Sequence, residues 1–152
     1  MTLNLTIDDT PMHVHRLWDW HPAGAITILD HVWLKGHFFA NDFEINIDGR
    51  TLLRHEAQHI RDQRTYHVLY WLSYVGLIIG PLSLRGLWEW RAYKITMKAW
   101  HERGIPLNTH NLDLLVGYLC APMYLWAMTR SHARRLVYDE AQRLQNEPRP
   151  PV

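Results

Sequence analysis

The sequence predicts an α+β fold, a short N-terminal antiparallel β-sheet followed by a mainly helical body. Two patterns carry this prediction. Apolar and polar residues alternate through much of the first fifty positions, and from Thr51 onward apolar residues recur near helical spacing. Composition supports a folded chain: of 152 residues, 47% are hydrophobic and only 20% charged, which excludes disorder throughout. The length suits one domain, taken as 1–145, with a loose tail at 146–152.

The strands come first. Leu3, Leu5 and Ile7 alternate with polar neighbours. Ala25–Leu29 and His31–Leu34 form two further runs, set apart from the first by Pro22 and Gly24. Gly36 and Asn41 mark a turn, and Phe43, Ile45 and Ile47 make a last alternation that Asp48-Gly49 closes as a turn. Together these read as a small β-meander. The helices follow. Leu52, Leu53, Ala57 and Ile60 share one face of a helix running from about Thr51 to the mid 60s. A second runs over Leu87–Glu102 and stops before Gly104 and Pro106. A third begins near Asn111 and crosses Pro122. A fourth, Ser131–Gln145, buries Val137, Ala141 and Leu144 and leaves Arg134, Arg135 and Arg143 in water.

Several function classes fall away at this stage. A formal net charge of +1, with no basic stripe, argues against nucleic acid as a partner. Cys120 is the lone cysteine, so an internal disulfide and a cysteine-rich zinc site are excluded; between apolar neighbours it reads as an inert thiol. The first residues lack a basic segment followed by an apolar one, so no signal peptide is expected and the location is read as cytoplasmic.

The chemistry lies in His55-Glu56-Ala57-Gln58-His59, an H-E-x-x-H motif within the firmest helical segment. Residues i and i+4 stand one turn apart on one face, so His55 and His59 reach one metal ion. Glu56 lies beside them, placed to hold a water at the metal's open position and take its proton. Chance produces such a motif in a chain of this composition in roughly a few per cent of cases, so the motif needs a third ligand. The H-E-x-x-H-x-x-G-x-x-H solution fails, because its last two positions are Asp62 and Thr65. Glu89 is the best alternative. It lies 30 residues after His59, flanked by Trp88 and Trp90, and a carboxylate in such surroundings needs a partner, whether a metal or Arg54 or Arg91. A turn at Gly80-Pro81 would bring its helix back, and Ala92 keeps that face narrow. Glu102 is the fallback ligand.

The stretch Leu52–Gln63, an aromatic and aliphatic segment, and then Trp88-Glu89-Trp90-Arg91-Ala92-Tyr93 resembles the small gluzincin metallopeptidases, compact relatives of the thermolysin-like catalytic core. The resemblance covers about residues 26 to 100. It implies one Zn2+ held by His55, His59 and Glu89, Glu56 as general base, and a peptide or protein substrate. It also implies that a strand before the motif, around His31–Leu34 or Phe43–Ile47, pairs with an extended peptide. Position 93 departs from the pattern: larger gluzincins often carry an aspartate there to support a ligand histidine, and Tyr93 leaves that task to Asp62 or the backbone. For the oxyanion, His101, His110, Tyr118, Tyr124 and His132 are all available, and the sequence does not choose among them.

The remaining histidines carry weaker signals. His13 and His15 share a face if their segment is a strand, and such a pair either binds metal or stays a surface feature. His67 falls near the end of the motif helix, and His21, His31 and His37 receive no role. Val68–Leu84 and Leu114–Thr129 are uncharged for 17 and 16 residues, short of the roughly 20 needed to span a bilayer. They read as buried helices or, given their Tyr and Trp content and flanking arginines, as a peripheral membrane contact through 68–84 and 114–129. The alternative function is therefore a non-catalytic metal-binding or membrane-associated protein with a degenerate motif.

Overall fold

The computed structural model describes residues 2–21, 23–41, 44–74, 84–121 and 128–148. Its architecture is α+β, and the chain divides into two compact units, Met1–His67 and Val68–Val152.

The first unit is a sheet carrying a helix. Strands β1 (Thr2–Ile7), β2 (Thr10–Leu17), β3 (Ala25–Ile28) and β4 (His31–Lys35) lie in the order β1-β2-β4-β3. The pairs β1–β2 and β3–β4 are antiparallel, but β2 and β4 run parallel, with His13 opposite His31 and Leu17 opposite Lys35. The expected antiparallel meander is therefore a mixed sheet with an antiparallel majority. The sequence carries no clear strand pattern over β2, because Pro11, two histidines and Arg16 break its apolar rhythm. Its inner residues Met12, Val14 and Leu17 are nonetheless buried. Pro11 is tolerated because β4 begins only opposite His13, so at that point β2 has β1 alone as a ladder neighbour.

A 3-10 turn (Gly36–Phe38) leads to a two-stranded ribbon, β5 (Phe39–Asn41) and β6 (Glu44–Ile45). The expected strand Phe43–Ile47 survives only as β6; Phe43 lies outside the described residues. Asp48-Gly49 is no hairpin turn. It sits in the first turn of α1 (Ile47–Tyr74), where the Gly49 N–H donates to Asn46 Oδ1 at 2.8 Å as an N-terminal cap. Glycine is needed here for space, since a Cβ would lie 2.7 Å from the Phe38 carbonyl oxygen and 2.5 Å from Ile45 Cγ2. Leu53, Ala57 and Ile60 of α1 close over Met12, Val14, Val32, Leu34 and Ile45 to form the core of the first unit. His67, with φ 41° and ψ −115°, interrupts the helical geometry of α1 and is exposed.

The second unit holds α2 (Arg85–Glu102), α3 (Thr109–Leu119) and α4 (Arg130–Gln145). Trp90, Tyr93 and Met97 of α2, Leu112, Leu115, Val116 and Leu119 of α3, and Ala133, Val137, Ala141 and Leu144 of α4 make one core with Leu107. Asn108 caps α3 and Thr129 caps α4 through their side-chain oxygens. The third helix was expected to cross Pro122. It ends at Leu119 instead, with Cys120 as its C-terminal cap, and a proline soon after a cap is an ordinary stop signal. The turn expected at Gly80-Pro81 lies outside the described residues. Among the described residues, no helix is long and apolar enough to cross a membrane.

Candidate metal centre

Helix α1 buries two faces. One packs on the sheet. The other carries His55 and His59, 4% exposed each, together with Glu56, Asp62 and Gln63. Helical spacing explains the grouping: 55, 59 and 62 follow one line along the helix, and 56 and 63 stand two turns apart on an adjoining line. The two imidazoles meet edge to face with centroids 5.0 Å apart. Asp62, only 1% exposed, accepts a hydrogen bond from Gln58 Nε2 at 2.8 Å.

Helix α2 carries Glu89, which is 1% exposed. The flanking tryptophans are buried too, and Trp88 Nε1 donates to Ser73 Oγ at 2.9 Å. One ligand atom from each of His55, His59 and Glu89 lies within 4.8 Å of the others, the only such trio of His, Cys, Asp or Glu among the described residues. Two imidazoles and a carboxylate, all buried, could hold a metal ion. Glu102, the fallback, lies 13 residues past Glu89 on the same helix, about 20 Å along its axis, and does not join.

Sequence reasoning missed two partners of the motif, both reached from β3 and the turn after it. The Thr27 hydroxyl donates to Glu56 Oε2 at 2.7 Å, and the Leu29 N–H donates to Gln63 Oε1 at 2.7 Å. Thr27 sits in the alternation of β3 on the side facing α1, a signal visible only once the sheet order is known. That order also corrects an expectation. His31–Leu34 lies in β4, flanked by β2 and β3, so it has no open edge for a peptide. The edge strands of this sheet are β1 and β3.

The oxyanion candidates that are described lie in different surroundings. His101 lies 12 residues beyond Glu89, about 18 Å along α2, where it lines a pocket with Pro106, Leu107 and Gln145. His110 and His132 are exposed, Tyr118 stacks on Tyr93 with centroids 6.3 Å apart, and Tyr124 is outside the described residues. Cys120 is half-buried, and burial pushes its thiol above the ordinary value against the opposing charge of Arg130.

His13 and His15 do share a face, the one turned away from α1. They lie beside His31 of β4, with ring centroids 5.0 Å from it in each case. Burial, then the neighbouring His31 and His13, hold the His15 imidazole below the ordinary histidine value.

Comparison with protein-family models, curated proteins and solved structures finds no match.

Proposed function

We propose that the chain is a zinc-dependent metallopeptidase of the gluzincin type, with His55, His59 and Glu89 as ligands and Glu56 as general base. The observation that carries this reading is the buried His-His-Glu trio, with ligand atoms within 4.8 Å of one another. A zinc ion held by these three residues would supply Lewis acidity, polarising a carbonyl and lowering the pKa of a bound water to about 7. Glu56 takes the proton from the attacking water as its oxygen bonds the scissile carbon. It returns that proton to the leaving amine as the C–N bond breaks. Thr27 orients the carboxylate through Oε2. On this reading the substrate is a peptide or protein and not nucleic acid, and an extended peptide adds to the edge of β3 through backbone hydrogen bonds.

Elemental analysis of purified protein tests the ligands: about one zinc per chain in wild type, sharply reduced in Glu89→Ala. Cleavage of a peptide library tests the chemistry, with Glu56→Ala keeping its zinc and losing turnover. Wild type that takes up no zinc at the trio on reconstitution, or a Glu56→Ala protein that still cleaves, overturns the reading.

One observation favours the second reading, a non-hydrolytic protein at a membrane surface. Val68, Leu69, Leu72, Leu84 and Leu87, on either side of 75–83, are all exposed aliphatics. Co-sedimentation with anionic vesicles, lost on Leu69→Asp/Leu72→Asp substitution, would support it; no sedimentation would remove it.

A further inference from the structure

The outer face of the sheet carries a second constellation. His13 and His15 stand two residues apart on β2, so both point the same way, and His31 is the direct neighbour of His13 on β4. His15 Nε2 and His31 Nδ1 are 2.8 Å apart. Each ring also has an oxygen near one of its nitrogens. His13 Nδ1 lies 2.6 Å from Asn4 Oδ1, His15 Nδ1 lies 3.1 Å from Thr2 Oγ1, and His31 Nε2 lies 3.6 Å from Asp30 Oδ1. An amide oxygen only accepts, so neutral His13 carries its proton on Nδ1; the Asp30 carboxylate, beyond hydrogen-bond length, favours the proton of neutral His31 on Nε2 by charge alone. That leaves lone pairs on His13 Nε2 and His31 Nδ1. Metal-binding histidines are commonly held this way, the far nitrogen donating to an oxygen.

We propose that His13 Nε2, His15 Nε2 and His31 Nδ1 form a site for a divalent transition cation of the zinc, nickel or copper class, with Asp30 orienting His31. Imidazole nitrogens suit these ions, and no thiolate is present to select others. Without metal, His15 Nε2–H bridges to His31 Nδ1. Metal binding moves that proton to His15 Nδ1, where the Thr2 hydroxyl accepts it, so no proton need leave the neutral cluster. Two nitrogens sharing one tetrahedral zinc lie about 3.3 Å apart, so the 2.8 Å pair must part by about half an ångström. His13 closes the set by turning from Asp30 Oδ2, 4.0 Å from its Nε2, toward the pair. All three rings are only partly buried, which leaves room for that motion.

The test uses full-length protein stripped with chelator and then dialysed against Zn2+. His15→Ala/His31→Ala should bind one equivalent fewer than wild type, whereas Glu89→Ala should keep the equivalent on the sheet. Asp30→Asn, which removes no ligand, should weaken that equivalent by about 10- to 100-fold. Long-range 1H–15N spectra should place zinc on Nε2 of His13 and His15 and on Nδ1 of His31. Unchanged stoichiometry in the double variant, or zinc on other nitrogens, overturns the proposal. An empty His55-His59-Glu89 trio would lower the wild-type count by one without changing the effect of the double variant.

Discussion

The Thr27–Glu56 hydrogen bond offers the sharpest test of how the motif helix is held. It is 2.7 Å long, it links residues 29 apart, and its acceptor belongs to a residue 7% exposed. A hydrogen bond to a charged group contributes about 1.5–3 kcal/mol, and the half-buried donor puts this one near the lower figure. Thr27→Val removes the hydroxyl while keeping the branched shape. With a urea m-value of about 1–3 kcal/mol/M, a loss of about 1.5 kcal/mol lowers the unfolding midpoint by about 0.5–1.5 M. Because Glu56→Ala also leaves a cavity, the measurement should be a double-mutant cycle of Thr27→Val and Glu56→Ala, in which the cavity term cancels. The expected coupling is about 1.5 kcal/mol. Coupling within about 0.3 kcal/mol of zero would refute the idea that Thr27 fixes the Glu56 carboxylate.

Three further outcomes follow from the packing. Leu53→Ala should cost about 2–5 kcal/mol in chemical denaturation, since Leu53 is fully buried between α1 and the sheet; a loss under 1 kcal/mol would contradict that placement. Gly49→Ala should lower the melting temperature although alanine is the better helix former: overpacking against the Phe38 carbonyl costs about 1–3 kcal/mol against a propensity gain of about 1 kcal/mol, and an unchanged or higher melting temperature would show the contact to be slack. Cys120 should react slowly with iodoacetamide, because a raised pKa leaves less thiolate at any given pH. Its rate profile in the folded protein should rise at higher pH than in urea, and coincident profiles would refute burial as the cause.

The parts of the fold legible in the sequence were those whose signal is local. Helix α4 was readable from Val137, Ala141 and Leu144 on one face, and α2 from its stop at Gly104 and Pro106. The three metal-ligand candidates were also legible, two from fixed spacing on one turn and Glu89 from a carboxylate set between tryptophans. What escaped depends on non-local pairing. No sequence pattern shows that β2 joins β4 in parallel, so β3 could not be recognised as an edge strand, nor Thr27 as the partner of Glu56. Asp48-Gly49 misled because its turn chemistry suits the first turn of a helix equally well once Asn46 supplies the cap. His31 received no role because its neighbours, His13 and His15, lie on another strand.

The β3–β4 hairpin turns on two residues, Leu29 and Asp30, with Leu29 at φ 56°. The Leu29 N–H is tied to Gln63 on the helix side, whereas the Asp30 carboxylate faces His13 and His31 on the opposite side. One tight bend thus sets the phase of both surfaces. A single inserted residue that slipped β3 by one position would carry Thr27 from the motif helix to the histidine face and bring Ile28 inward. The two faces therefore cannot drift apart by insertion or deletion in this turn. A substitution at the bend is a gentler change: Leu29→Gly would relax the positive-φ backbone while leaving the Gln63 and Asp30 contacts in phase.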